Sequence, residues 1–432
     1  MNAVMRRTAA SLLWAGVGVV LVTAQQQAPP TFRAGVDVIA VDVQVVGKNG
    51  EPVINLTPAD FKVTIDGRDR KVMSADLIRH GDQRAAAATP IVAGPGATNQ
   101  WPPNGPVART FMIAVDVSSF TMADSRSAVQ AARGFIDRLD PNDLVGLYAF
   151  PLGPKIEPTY DRPRVRREMD TIMGGAQALT SKYHLSPAEV MDVNYEAARL
   201  PMSNSGRATA QSALAGNEGE TIKRVQLREC GSDNDSRCVE HIIQEAQTMA
   251  FFFEGEMMRT ASGLGTLLQG LSPYPGRKTV VLISAGMPVA DQPGGRPTFG
   301  EAAKVLGEEA ARANVNVYAM HLDTLFLRSN AAETRQHDRR PINRERESVM
   351  MGRFLDEFAG TSGGTMMRIL VGSGEGAYET ILRETSAYYL VGVAPNASDR
   401  NGKTHRLKVG VSEKGATVRS RTFVHVPKKQ PS

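Results

Sequence analysis

Residues Phe111–Ser127 read FMIAVDVSSFTMADSRS, an apolar run that ends on the carboxylate of Asp116 and passes into hydroxyls. An unbroken run such as FMIAV suits a strand buried on both faces of a sheet rather than a half-exposed one. The next two elements fix the class. SAVQAARGFIDRLD sets Val129, Ala132, Phe135, Ile136 and Leu139 along one helical face, and DLVGLYAFP is the next strand. The rhythm then continues through a helix EGEMMRTASGLGTLLQGL, a strand KTVVLISAG, a helix FGEAAKVLGEEAARAN and a strand VNVYAMHLD. A helix RFLDEFAGTSGG, a strand TMMRILV and a helix GAYETILRETS close the series. Alternation of this kind predicts an α/β fold with a doubly wound, mostly parallel sheet of Rossmann type over residues 108–385.

Outward from that core the pattern changes. Residues 31–80 carry period-two alternation in VDVIAVDVQVV and FKVTID, punctuated by Asn49-Gly50 and Asp66-Gly67, which predicts a small antiparallel β unit. Residues 81–107 are rich in Ala, Pro and Gly without an apolar period and read as a linker. A polar insertion at about 181–245 interrupts the α/β series and holds a helix start at Ser186-Pro-Ala-Glu189, a capping box with proline in the first turn. Residues 386–428 return to alternating strands, and pairing with the N-terminal β unit would make the α/β domain an insertion into a β domain.

The chain has 432 residues, 42% apolar and 22% charged, an ordinary globular composition. Its first residues show Arg6 and Arg7, an apolar run from Ala9 to Val22, and small residues at Val22 and Ala24. This is the layout of a secretory signal peptide, residues 1–24, and predicts an exported, periplasmic or secreted protein. An uncleaved anchor is the alternative, against which the run falls short of the ~20 residues that a membrane span needs. Loss of Arg6 and Arg7 lowers the formal charge from +5 to +3, too little to imply nucleic acid. The basic cluster Arg328–Arg346 has interleaved acids and no aromatics, as a solvated loop does. The two cysteines, Cys230 and Cys238, enclose seven polar, turn-forming residues, so in an oxidising compartment a disulfide is expected. Closing so small a loop contributes under ~3 kcal/mol. Zinc lacks two further ligands at suitable spacing.

Several motifs reduce to structure. Gly360-Thr-Ser-Gly-Gly364 spells a hydrolase elbow, but a helix precedes it and a strand comes after, the reverse of what an elbow requires. Gly372-Ser-Gly374 opens a dinucleotide-like spelling without the acid about 20 residues on that would hold a ribose. His321 and Asp323 end a strand where ligands often bind, and read as structural. Asp116 stands apart: it ends a buried strand at the edge where open sheets bind ligands, and Ser118 comes two residues later, at a spacing that lets both oxygens face one point. A hard cation takes such oxygens; the plain alternative is a cap for the next turn.

The order of elements and the D-x-S start resemble the von Willebrand factor type A (VWA) fold. The fuller chain resembles the exported VWFA-related, or acidobacterial VWFA-like, family. The marks are Phe32–Gly67, FMIAVDVSSF, LSPAEVMDVNYEAARL, LSPYPGRKTVVLISAGMP and SAYYLVGVAPNASDRNGKTHRLKVGV. The resemblance implies a metal-ion-dependent adhesion site, built from D-x-S-x-S, a loop threonine and an aspartate after the central strand, in which a metal holds an acidic residue of a partner protein. Carried onto this chain, Asp116 and Ser118 match, Thr180 is the candidate threonine, the third position of the motif falls on Phe120, and the expected aspartate falls on Ala285. The expected function is therefore a non-catalytic, exported VWA-domain protein. It would bind a protein or cell-envelope partner at the sheet's C-terminal edge through a degenerate site, with magnesium as the one candidate cofactor. An envelope enzyme or enzyme-associated subunit, or a purely structural envelope component, is the alternative.

Overall fold

The computed structural model describes residues 38–80, 109–176, 180–200, 219–231, 236–324, 344–369 and 374–428. The expectations at residues 1–24, 81–107, most of Arg328–Arg346, and Gly372-Ser373 lie outside the described residues. From Asp37 onward the chain forms one compact unit.

The chain enters through four strands, β1 (Ile39–Val46), β2 (Phe61–Ile65), β3 (Arg68–Arg70) and β4 (Val72–Arg79). Asp66 and Gly67 both adopt positive φ, 50° and 75°, giving the tight hairpin between β2 and β3 that an Asp-Gly pair favours. The α/β series begins with β5 (Thr110–Asp116), α1 (Ser125–Arg138), β6 (Leu144–Phe150), β7 (Lys155–Thr159) and α2 (Arg162–Met169). Then come α3 (Pro187–Arg199), α4 (Glu220–Glu229), α5 (Ser236–Leu271), β8 (Lys278–Ser284), α6 (Gly300–Arg312) and β9 (Val315–Leu322). The remainder is α7 (Arg344–Ser362), β10 (Met366–Ile369), α8 (Glu375–Glu384), β11 (Ala387–Val393), β12 (Thr404–Val411), β13 (Thr417–Ser420) and β14 (Phe423–His425).

The central sheet has six strands in the order β10-β9-β8-β5-β6-β7, parallel except for β7 at one edge. Every residue of β5, β8 and β9 is buried, as their unbroken apolar runs predict. Phe135 and Ile136 of α1, Val165 and Met169 of α2, and Tyr378 and Ile381 of α8 pack on one face. Leu264, Leu267 and Leu268 of α5, Leu306 of α6, and Phe354 and Phe358 of α7 pack on the other. The fold is thus a mixed α/β architecture with helices on both sides of a mostly parallel sheet.

Two further four-stranded antiparallel sheets, β13-β1-β11-β4 and β14-β12-β2-β3, join the two ends of the chain. Residues 39–43 of β1 pair with residues 389–393 of β11, and β2 pairs with β12. The two sheets share one core of Val41, Val43, Val63, Ile65, Val391 and Leu407. Phe61 meets Tyr389 edge to face at 5.2 Å.

The insertion differs from the sequence reading at its C-terminal end. The pattern predicts a separate helix beginning near Glu254; instead α5 runs unbroken for 36 residues from Ser236. Apolar residues recur at helical spacing from Val239 through Ile242, Ala246, Ala250 and Met257 to Leu264, so nothing stops the helix at residue 245. Its first half packs with α3 and α4 in a small helical core, and its second half lies on the sheet. At Ser186 the capping box forms: Glu189 N–H donates to Ser186 Oγ at 3.3 Å, and Ser186 N–H donates to Glu189 Oε2 at 3.2 Å. Cys230, which caps the C-terminus of α4, and Cys238, in the first turn of α5, are joined in a disulfide.

Candidate functional site: the cleft over Asp116

The order of strands marks one place. From β5 the chain moves to β6 and β7 on one side, then returns to lay β8 on the other. The crevice above the C-terminal ends of β5 and β8 is therefore the topological switch point, where open α/β sheets bind ligands. Asp116 is the last residue of β5 and Ser284 the last of β8.

Asp116 is fully buried and ringed by hydroxyls. Ser118 Oγ donates to its Oδ1 at 2.7 Å; Ser284 Oγ and Thr260 Oγ1 donate to Oδ2 at 3.0 and 3.3 Å. Burial pushes the carboxyl up to about 6, against the pull of these hydrogen bonds. A second tie fixes the backbone beneath. Ser119 Oγ donates to Asp116 O at 2.7 Å and accepts the N–H of Ala285 at 2.9 Å, so the loop after β5 is bound to the turn after β8. Gly286 completes that turn at φ 75°; a Cβ there would lie 2.0 Å from Met351 O, so only glycine fits. Residues 174–176 form a strap across the top. Gly175 N–H donates to Val117 O and Ala176 N–H to Phe120 O, at 2.7 and 3.0 Å.

Above Asp116 opens a cleft of about 730 Å³. Met249, Phe252 and Phe253 of α5, Met287 and Met351 wall it, while Leu152 and Met173 are 83% and 64% exposed in its lining. Glu256 and Arg259 also line it and pair with each other at 2.9 Å.

Of the residues read from sequence, Asp116 and Ser118 are brought together. Thr180 is exposed and lies outside the cleft lining; the threonine that reaches Asp116 is Thr260, from the middle of α5. Phe120 and Ala285 are buried and apolar where the resemblance implied oxygen ligands. A divalent cation fits this set poorly. Magnesium wants six oxygens with ample negative charge, and here a single carboxylate has both oxygens occupied by hydroxyl donors. His321 is buried on β9, two strands from Asp116, its Nε2 3.2 Å from Ala285 O, with burial lowering its basicity. Asp323 is buried beside Ser348, whose hydroxyl it accepts. The serine of Gly360–Gly364, Ser362, is also buried; its Oγ donates to Ala359 O and accepts from Val317 N–H, which makes it a helix stop and no nucleophile.

No protein-family model matches the chain, and no curated protein does. Among solved structures it is similar to the crystal structure of the conserved hypothetical protein BatB from Bacteroides thetaiotaomicron. That similarity has 14% identity over 65% of this chain and 98% of the other, with a TM-score of 0.31. A score at that level carries no weight for fold or role.

Proposed function

We propose that this is an exported, non-catalytic VWA-like protein that binds a protein or envelope partner through the cleft over Asp116, without a resident metal. One observation carries the reading: the switch-point crevice is an apolar-walled cleft whose floor is a carboxylate already enclosed by hydroxyls. The VWA-like part is supported by the D-x-S loop at the end of β5, set against the Ser284-Ala285-Gly286 turn at the end of β8. Binding rather than catalysis is supported by the chemistry of the lining. Among the described residues that line the cleft there is no histidine, lysine or cysteine; both oxygens of Asp116 are taken by hydroxyl donors, Glu256 is paired with Arg259, and Ser118 gives its proton to the buried acid. Export is supported by the layout of residues 1–24. No helix among the described residues is long and apolar enough to cross a membrane.

The test is site-specific photocrosslinking in the source cells, with the probe at Leu152 on the cleft or at Met73 on β4. The expected result is a discrete adduct from position 152, lost when Met173→Glu charges the rim, and none from position 73. Adducts from position 73 alone would overturn the reading, as would a hydrolytic activity abolished by Ser118→Ala.

A further inference from the structure

The floor of the cleft has a polarity of its own. An ionised carboxylate only accepts hydrogen bonds, so Ser118, Ser284 and Thr260 each commit their single hydroxyl proton to Asp116. What those oxygens have left to offer is lone pairs. Ser284 Oγ spends one on the N–H of Gly286 at 3.0 Å. Ser118 is half-buried in the lining and keeps its remaining acceptor capacity toward the cleft. The floor therefore receives donors and rejects acceptors.

The charges point the same way. No lysine, arginine or histidine among the described residues forms an ion pair with Asp116, and Arg259, the cation in the lining, is matched by Glu256. The lining is left with one negative charge in excess. Its walls include the aromatic rings of Phe252 and Phe253, and a ring face attracts a cation rather than an anion. An acidic side chain would bring a second negative charge beside Asp116 with no metal between them, which costs several kcal/mol in a desolvated contact.

We propose that the cleft docks a partner protein segment through a lysine or arginine set between apolar residues. The cationic head donates to Ser118 Oγ above Asp116, and the apolar flanks lie against Phe252, Phe253 and Met249. The inference rests on reading the cleft as a docking surface, and it reverses the charge preference that a metal-loaded adhesion site would have.

Fluorescence polarisation on the full chain at neutral pH tests it, using short blocked Leu/Ser peptides whose central residue is lysine, glutamate or norleucine. The lysine peptide is expected to bind at least about tenfold tighter than the norleucine peptide, with the glutamate peptide weakest. In Asp116→Asn the lysine preference should fall to less than about twofold while norleucine binding persists. The ranking on the unaltered chain decides the matter even if that variant fails to fold. Equal affinities for all three peptides would overturn the cationic preference and leave the cleft as an apolar docking surface. Tightest binding of the glutamate peptide would overturn the inference outright. Binding of none would overturn both the inference and the docking role of the cleft.

Discussion

At the C-terminal end of the six-stranded sheet one carboxylate, Asp116, lies beneath an open cleft. At the N-terminal end two cations, Lys278 and Arg421, lie beneath the paired β sheets. Lys278 opens β8, is 1% exposed, and donates from Nζ to Tyr274 O at 2.6 Å. Burial, with Arg421 nearby, pulls it down to about 8. Arg421 donates to Ala311 O at 3.0 Å and stands 3.9 Å from Asp42 of β1. Beside them Tyr318 of β9 donates to Glu384 Oε2 at 3.0 Å, with Gln44 Oε1 3.1 Å from the same hydroxyl, and Arg419 pairs with Glu384 at 2.8 Å. Arg421 faces a carboxylate from the other β segment, Asp42 of β1, whereas Lys278 is held by a backbone carbonyl. The upper charge is met by neutral hydroxyls under a void. At the joint Arg421 and Glu384 have charged partners, whereas Asp116 has dipoles alone and lies under an apolar-walled cleft.

The contrast can be broken most sharply at the joint. Asp42→Ala removes the carboxylate facing Arg421 and should lower stability by about 3–5 kcal/mol, read by urea unfolding. A loss under about 1 kcal/mol would mean that the lower edge is not held by this charge pairing.

The two edges should also respond to pH with opposite sign. Asp116 has a raised folded value, so between its unfolded value near 4 and about 6 the native state holds the extra proton, and stability falls as pH rises through that window. Relative to Asp116→Asn, the unaltered chain should lose on the order of 3 kcal/mol from pH 4 to pH 7. Lys278 has a lowered folded value, so above about 8 the unfolded state holds the extra proton and stability rises with pH. Relative to Lys278→Met, the unaltered chain should gain about 2–3 kcal/mol between pH 7 and pH 10. Slopes of the same sign in the two pairs would erase the distinction between the edges.

Smaller changes sharpen the upper edge. A Cβ on Gly174 would meet the carbonyl oxygens of Phe120 and Thr121 at 2.4 Å. Gly174→Ala should therefore cost about 1–3 kcal/mol and loosen the strap, visible as faster hydrogen exchange at residues 117–121. Ser118→Ala removes one donor to Asp116 and should cost about 1 kcal/mol. It should also push the Asp116 carboxyl further up, read by carboxyl NMR or by the shifted pH window of stability.

Much of this was legible in the residues. The buried strands announce themselves because FMIAV, VVLI and VNVYAM are apolar without interruption, and Asp116 is conspicuous as the charge that ends one of them. The disulfide is foreshadowed by two cysteines eight positions apart. Thr260 was not legible. It sits 144 positions from Asp116 in a helix that reads as core, and only the way α5 crosses the sheet brings its hydroxyl to the carboxylate. Thr180 is the loop threonine that the resemblance offers, at the point where the insertion starts and the match in position is least fixed, and it lies outside the cleft lining. The length of α5 was obscured by the polar stretch before it, where the chain's composition changes while its helical period does not. Alternation in VDVIAVDVQVV and SAYYLVGV identifies strands but carries no register, so the pairing of residues 39–43 with 389–393 emerges only in three dimensions.

The central claim is that Asp116 is a metal-free acceptor floor. Calorimetric titration of the full chain with Mg2+, Mn2+ and Ca2+, beside Asp116→Ala, tests it most directly. With both Asp116 oxygens held by hydroxyl donors, no saturable heat that depends on Asp116 is expected at physiological metal concentrations. A saturating isotherm in the unaltered chain that vanishes in Asp116→Ala would contradict it.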